Sequence, residues 1–323
     1  MRSLLNTLTA ALMLTGTVTL PQLSHAAAPV VGTQAPAFYR MMVGDIEVTA
    51  LSDGTVNLPM AKLLQSKNPK RVSDTLKRDF LGDTVETSVN AYLVNTGTKL
   101  VLIDTGAGVL FGPTLGKLLI NLKAAGYSPD QVDDIYITHM HPDHVGGLMT
   151  DGQMAFANAT LHIDQADTEF WLNDAKMNAA PADQKGFFQG AMASVNPYKA
   201  AGKLQPFKTN SELTTGIRAQ ATHGHTAGHN IYIVENKGAK LVLWGDLVHV
   251  GAVQFAEPNV TIAFDSDSKN AEKQRQAAFA DAAKQGYLIG ASHLPFPGVG
   301  HVRKATLGSG YTFIPVNYSS LVK

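Results

Sequence analysis

Short apolar runs separated by glycine, proline and charged residues recur along the chain, and they predict many short strands. These predicted strands are Ile46–Leu51, Ala91–Asn95, Leu100–Ile103, Asp134–Thr138, Thr160–Ile163, Ile217–Ala221, Ile231–Val234, Leu241–Trp244, Tyr287–Ile289 and Phe313–Val316. Apolar residues at helical spacing predict the helices Pro113–Ala125, Gln165–Asn173, Lys185–Ser194 and Ser268–Gln285. Residues 27–39, rich in Ala, Pro and Val, predict an extended arm. Strands and helices mixed in this way predict an α/β layered domain.

One segment pattern occurs twice, at residues 92–102 and 232–243. Both copies predict a hairpin whose second strand is apolar throughout. Asp104 follows the first copy and Gly245-Asp246 follows the second. Two similar halves that deliver polar residues from strand ends indicate a site between two sheets, and chance similarity is the alternative.

The first 26 residues have the pattern of a secretory signal peptide. Arg2 is the one charged residue, an apolar stretch runs from Leu4 to Leu20, and Ser24-His25-Ala26 has the small-x-small form of a cleavage site. We therefore expect residues 27–323 to form the mature domain, in the periplasm or secreted. A retained membrane anchor is the alternative, although the run is short and contains several threonines.

Composition excludes several classes of protein. The chain of 323 residues carries 26 basic and 26 acidic side chains, so its balanced charge gives no reason to expect binding to nucleic acid. We also expect no membrane association after signal cleavage. A homodimer is compatible with the sequence. Because there is no cysteine, disulfides, thiolate ligands, a cysteine nucleophile and a lipoprotein anchor are excluded.

The densest chemical signal is the hexapeptide His139-Met140-His141-Pro142-Asp143-His144, directly after a predicted strand. Imidazole nitrogen and carboxylate oxygen are ligands that ions such as zinc accept. Pro142 disfavours an immediate helix, and Gly146-Gly147 permits a tight turn. The sequence therefore predicts a metal site at the end of this strand.

Three further regions offer candidates for a second set of ligands. His223, His225 and His229 lie after one strand, and spacing alone does not choose among them. Asp246 and His293 each follow an apolar strand. The histidines without a partner motif are interpreted as structural; they are His162, His249 and His301. Asp104 and Thr138 are candidates, on position alone, to orient ligand histidines.

The order His-x-His-x-Asp-His, then Gly-His-Thr-x-Gly-His, a strand-end Asp and a late His resembles the metallo-β-lactamase superfamily, and within it the methyl parathion hydrolases. The likeness covers nearly the whole mature chain. Its most telling stretches are Leu110–Gly116, Ile135–Met149, Lys185–Phe188, Asp265–Ser268 and Pro315–Ser319. The resemblance implies a four-layer αββα sandwich with the site at one edge between the sheets.

The resemblance also implies two divalent metal ions, with zinc the expected metal. One ion would take His139, His141 and His225, the other Asp143, His144 and His293, and the Asp246 carboxylate would bridge both and hold a hydroxide. The implied reaction is attack of that bridging hydroxide on an organophosphate triester, and the alternative substrate is a lactone or aryl ester. An aromatic pocket of Phe111, Trp171 and Phe187 is implied as well, although core packing of these rings is an equal alternative.

Other protein functions remain as alternatives. Asp104-Thr105-Gly106 is typical of aspartic proteases, but the second half offers no matching triplet. A true β-lactamase, a glyoxalase-type thioesterase and a non-catalytic metal-binding protein complete the set. The basic segment Lys62–Arg78 predicts either a solvated face or a flap over the site.

Overall fold

Two seven-stranded sheets form the centre of the computed structural model, which describes residues 28–208, 210–306 and 308–319. The chain divides into residues 1–35 and residues 36–323, and the elements below belong to the second unit. The predicted signal peptide, residues 1–26, lies outside the described residues. No helix in the described part of the chain is long and apolar enough to cross a membrane.

The strands of the first sheet lie side by side in the order β1 (Phe38–Val43), β2 (Ile46–Leu58), β4 (Val85–Asn95), β5 (Leu100–Ile103), β6 (Asp134–Tyr136), β9 (Thr160–Asp164) and β10 (Leu204–Phe207). Those of the second sheet are β11 (Glu212–Thr214), β12 (Ile217–Ala221), β13 (Asn230–Asn236), β14 (Ala239–Leu243), β16 (Leu288–Gly290), β17 (Val299–Lys304) and β18 (Tyr311–Pro315). Two small ribbons pair β3 (Leu64–Gln65) with β15 (Thr261–Ile262), and β7 (Met149–Thr150) with β8 (Gln153–Met154).

The helices connect these strands. They are α1 (Met60–Leu63), α2 (Pro69–Arg78), α3 (Leu118–Ala124), α4 (Pro142–Val145), α5 (Gln165–Trp171), α6 (Asp174–Ala179), α7 (Lys185–Ala200), α8 (Gly251–Gln254) and α9 (Ser268–Gln285). Short 3₁₀ turns occupy Pro129–Gln131, Gly146–Leu148 and Gly245–Leu247.

Side chains alternate between the two faces of each strand, and this alternation produces four layers. In β13, Ile231 and Ile233 pack with Phe279 of α9, whereas Tyr232 and Val234 point to the other face and pack against the first sheet. The first sheet likewise has an outer face, where side chains of its central strands pack against α3, α5 and α7. Apolar contacts between and outside the two sheets thus build an αββα arrangement, and the predicted fold class is confirmed.

The repeated sequence pattern corresponds to equivalent hairpins. Tyr92 of β4 pairs with Ile103 of β5, and Tyr232 of β13 pairs with Leu243 of β14. Each second strand then has a parallel neighbour, β6 in the first sheet and β16 in the second. The two sheets therefore present corresponding strand ends to the same region.

The predicted helix Pro113–Ala125 is wrong in its first third, since α3 begins at Leu118. The reason is the buried carboxylate of Asp53, which accepts backbone hydrogen bonds from Ala107, Gly116 and Leu118. These bonds fold residues 107–118 into a loop, and a single-sequence pattern gives no sign of so distant a partner. The predicted arm is also partly wrong, because its end belongs to β1.

The basic segment 62–78 contains α2, an amphipathic helix. Val72 and Leu76 are buried, while the ion-paired Lys70 and Arg78 side chains are largely exposed. Residues 62–78 do not line the apolar cavity that opens onto Asp246, although Arg78 lines a separate cavity together with His249 and His293. The solvated-face prediction therefore describes the exposed side of α2.

Candidate metal centre

The candidate ligands lie after the carboxyl ends of strands in both sheets. His139 and His141 follow β6, His225 follows β12, Asp246 follows β14 and His293 follows β16. A single turn of helix, α4, adds Asp143 and His144 from the same loop as the first two histidines. Because the sheets pack face to face, these loops meet at one edge.

Asp246 lies at the centre of the group. Its Oδ2 atom is 3.2 Å from His225 Nε2, 3.1 Å from His293 Nε2 and 3.6 Å from His139 Nε2. Its Oδ1 atom is 3.2 Å from His144 Nε2. One carboxylate therefore contacts imidazoles from both sets of ligands.

The predicted ligands form two geometric groups. In each group the ligand atoms lie within 4.8 Å of one another; the groups are His139, His141, His225 and Asp246, and Asp143, His144 and His293. His141 presents its Nδ1 atom, 3.1 Å from His225 Nε2. Asp143 Oδ2 is 3.5 Å from Nε2 of both His144 and His293. The structure thus brings together all seven residues that the sequence singled out.

The far nitrogens of the histidines are held by acceptors. His144 Nδ1 lies 2.8 Å from Asp104 Oδ2, and His225 Nδ1 lies 2.8 Å from Asp265 Oδ1. His293 Nδ1 lies 2.9 Å from the Ser88 carbonyl oxygen. Because Nδ1 of each ring is engaged in this way, Nε2 is the nitrogen that faces Asp246, which is the orientation that metal-binding histidines adopt.

Asp104 has a second contact that explains its place. The Thr138 hydroxyl donates to Asp104 Oδ2 at 2.8 Å, and the Thr138 backbone N–H donates to Oδ1 at 2.8 Å. The aspartate therefore orients a histidine instead of sharing a proton with a second catalytic carboxylate, which removes the support for an aspartic protease. Asp104 and Thr138 both occupy the orienting positions that the sequence suggested.

Burial and neighbouring charges shift the pKa values of the clustered residues in different directions. Burial and the neighbouring histidines lower the pKa of His139 and His141 well below the usual value, so both are neutral and keep a free lone pair. Burial acts to raise the pKa of Asp246, but the histidines around it, His293 and His144 first, hold it well below the usual range. Burial acts to lower the pKa of His225, but hydrogen bonds to Asp246 and Asp265 raise it to about 9.

Unpartnered buried atoms test whether cations fit here. Among the described residues, His139 Nε2, His144 Nε2 and Asp246 Oδ1 are buried without a hydrogen-bond partner. Such atoms are costly in a folded protein unless a ligand satisfies them. All three converge on the same space, and their chemistry is that of a borderline divalent ion. The residues present therefore fit metal binding.

The structure separates the three histidines of the second motif. His225 lies in the cluster, whereas His223 lies 3.6 Å from Asp164 with about a third of its side chain exposed. His229 is buried behind the cluster, where its Nε2 accepts from the Asp246 backbone N–H at 3.1 Å. His225 is thus placed to bind a ligand, and His229 is placed to orient the Asp246 turn.

His249 belongs to this site, although the sequence interpretation called it structural. Its Nε2 atom lies 3.1 Å from Asp246 Oδ2, and its ring stacks on His293 with centroids 5.1 Å apart. Within the described residues neither ring nitrogen has a hydrogen-bond partner. The available signal was its place three residues after Asp246, and by itself that spacing is too common to be informative.

An apolar cavity of about 120 Å³ opens onto Asp246, Asp143 and His141. Phe111 and Phe187 line it, as the family resemblance implied, and Phe264, which the sequence analysis missed, lines it as well. Other lining residues are Val56, Leu58, Thr87, Leu115, His249 and His293.

Trp171 differs from its prediction, since it does not line this cavity. It is buried in the outer core, with its ring edge-on to His141 at 5.4 Å and against Phe170 at 4.9 Å. The Phe187 ring contacts both Trp171 and the cavity-lining Phe264, with ring centroids 6.5 Å and 6.1 Å apart. Trp171 therefore supports a ligand loop and a pocket residue from behind.

Gly146 and Gly147 lie in the 3₁₀ turn Gly146–Leu148, so the predicted tight turn is present, and they have a second role. A side chain at either position would overlap the carbonyl oxygen of Ala107 or Thr105. These glycines allow the loop after β5 to pack directly on the histidine loop. The same loop carries Phe111, which lines the cavity.

Comparison with known proteins agrees with this geometry. Residues 84–293 match the family profile described as the metallo-beta-lactamase superfamily. A hydrolase of the beta lactamase superfamily, AbOPH, is 38% identical and superposes with a TM-score of 0.84 over 89% of this chain and 100% of that one. AidC, a dizinc quorum-quenching lactonase solved with its product, is 27% identical, with a TM-score of 0.81 over 88% of this chain and 99% of that one.

A curated relative gives a shorter match. An N-acyl homoserine lactonase from Bacillus sp is 25% identical over 181 residues, which is 50% of this chain and 64% of that protein. The aligned part thus spans less than two thirds of this relative. The profile match, the full-length likeness to AbOPH and the two-sheet fold with its histidine cluster lead to one conclusion: this chain belongs to the metallo-β-lactamase superfamily.

Proposed function

We propose that this protein is a metal-dependent hydrolase that opens lactones and cleaves aryl esters at a site holding two divalent ions. The observation that carries the proposal is the convergence of unpartnered Nε2 and carboxylate atoms on Asp246, beside an apolar cavity. Likeness to a dizinc lactonase supports it.

His139, His141 and His225 would hold one ion, and Asp143, His144 and His293 the other, with Asp246 between them. Two divalent ions in such a site activate water as a nucleophile near neutral pH and polarise the oxygen of an ester. Zinc is the metal we expect from the donor set.

The remaining residues bind the substrate and keep the ligands in place. Phe111, Phe187 and Phe264 offer apolar faces to a flat ring and exclude water from the reacting bond. Asp104 and Asp265 keep the Nδ1 protons of His144 and His225, so that the opposite nitrogens stay free for metal.

The lining of the cavity favours a flat aromatic ester. Phe111, Phe187 and Phe264 offer ring faces beside Asp246, against which the ring of a fused aromatic lactone would stack. Hydrolysis of organophosphate triesters, which the sequence resemblance favours, stays as the second candidate because the same donors could polarise a P=O bond.

Elemental analysis and a substrate panel test this function. Protein prepared without chelator should approach two metal ions per chain, and kcat/KM should be highest for dihydrocoumarin, followed by an acyl-homoserine lactone and methyl paraoxon. A cephalosporin serves as the control for β-lactamase activity and should not be turned over. A metal ratio near zero after supplementation, or two bound ions with no turnover of any ester, would contradict the proposal.

A further inference from the structure

Asp167, in the first turn of α5, joins two loops that the sequence analysis treated separately. Its side chain is completely buried. Asp167 Oδ2 accepts from the Met140 backbone N–H at 2.9 Å and from the Thr226 hydroxyl at 3.0 Å. Asp167 Oδ1 accepts from the Gly228 backbone N–H at 2.6 Å.

These donors flank candidate ligands. Met140 lies between His139 and His141, and Thr226 directly follows His225. The carboxylate therefore ties both histidine loops of one metal group to the same helix. None of its three donors is itself a candidate ligand, so Asp167 would act indirectly, through two backbone N–H groups and the Thr226 hydroxyl of the ligand loops.

The loop that carries Gly228 packs directly against the backbone at the start of α5. A Cβ atom at Gly228 would lie 2.6 Å from the Asp167 backbone nitrogen, so only glycine allows this approach. Beside it, the Asn230 side chain donates to Asp164 Oδ2 at 3.0 Å, and the Asn230 backbone N–H donates to the Thr138 carbonyl at 2.9 Å. The start of α5 thus fastens the second histidine loop to the end of the first sheet.

An ionised carboxylate at this depth is unfavourable. Burial raises the pKa of Asp167 to about 6, against the lowering effect of its three hydrogen bonds. A neutral amide would avoid that cost, but it has only one oxygen, whereas the three donors approach both oxygens of Asp167. A carboxylate therefore suits this position, because its two oxygens accept hydrogen bonds from different directions.

We propose that Asp167 is a positioning residue that holds the loops of His139, His141 and His225 at the mutual distance required to bind one metal ion. This inference rests on the proposed function, because it needs a metal at those histidines. Removing one acceptor should let the loops move apart and weaken that ion's binding, as outer partners of metal ligands commonly do when lost.

Cobalt titration of chelator-treated protein tests the inference, because Co²⁺ reports ligand geometry in its visible spectrum. Wild-type protein should bind Co²⁺, and Asp167→Asn should bind one of the two Co²⁺ equivalents about 10–100-fold less tightly, with a changed spectrum. Asp53→Asn is a matched control. Asp53 is likewise a buried carboxylate with three hydrogen-bond donors and a pKa raised to about 6, but its donors are all backbone N–H groups and it fastens residues 107–118. It should lose stability while keeping the wild-type cobalt affinity and spectrum.

If Asp167→Asn does not fold, Thr226→Val decides, because it removes one donor to Asp167 at nearly constant volume. It should change affinity and spectrum in the same direction by a smaller amount. Wild-type cobalt affinity and spectrum in folded Asp167→Asn, or in Thr226→Val where that variant decides, would overturn the positioning role and leave the proposed function standing. Failure of the wild-type protein to bind cobalt would instead count against the proposed function.

Discussion

Asp246 is the residue on which both groups of histidines converge, so a change of its charge should affect both. Asp246→Asn keeps the shape but removes the negative charge between the two expected cations. We expect it to lower the metal content below two per chain and to reduce kcat/KM by about 100-fold or more. Metal analysis and kinetics on the same preparation check this, and near wild-type values for both would show that the bridge is elsewhere.

The three histidines of the second motif allow a test of which one binds metal, because each has a different environment. His225→Ala should lose metal and activity. His229→Ala should chiefly lower the melting temperature, since it removes a buried acceptor for the Asp246 backbone. His223→Ala should change both properties least, as its side chain is a third exposed. Metal content and thermal melting of the three variants give the ranking, and metal loss in His223→Ala with retention in His225→Ala would reverse the assignment.

At the scale of elements, the segment from α5 to α7 contributes both pocket and support. Phe187 lines the cavity, so Phe187→Ala should raise KM for an aryl ester more than for a small aliphatic lactone. Trp171 lies behind it in the core, so Trp171→Ala should cost about 3–5 kcal/mol of stability and affect every substrate alike. Kinetics on both substrates beside melting curves separate these outcomes. An equal loss for both substrates in Phe187→Ala would remove it from the pocket.

The elements themselves follow the sequence pattern where local signals dominate. Residues 268–285 form α9 as predicted, because an Asp267 side-chain cap begins the helix and Gly286 at φ +74° ends it. Strand β12 also has its predicted bounds. The pattern was wrong before α3, where the backbone donates hydrogen bonds to Asp53. It also missed β10, which is short and contains Pro206, and β17, whose polar residues His301, Arg303 and Lys304 obscure the apolar pattern.

For the whole molecule, the buried Asp53 predicts a pH-dependent term in stability. Burial raises the pKa of Asp53 to about 6 in the folded protein, above the value of 3.8 when exposed. The folded state therefore binds the proton more tightly, and this contribution to stability is present below pH 3.8 and lost as the pH rises through about 6. Each unit of pKa difference corresponds to about 1.4 kcal/mol.

Thermal melting of chelator-treated wild-type and Asp53→Asn protein measures this term, since other groups titrate equally in both. The stability of wild type relative to the variant should be larger near the acid end of that range than above pH 7. A difference that stays constant or grows toward alkaline pH would show that the three backbone donors outweigh burial at this carboxylate.

The sequence by itself determined the chemistry of the site and the class of fold. The ligand candidates could be recognised because histidine and aspartate occur in short motifs at strand ends, and the choice of His225 among three histidines came from the family resemblance. Tertiary structure alone decided which groups share a space: it brought His249 and Phe264 to the cavity, moved Trp171 behind it, and placed Asp167 between two loops. These positions depend on how two sheets pack through contacts between residues far apart in sequence, and no local periodicity encodes such contacts.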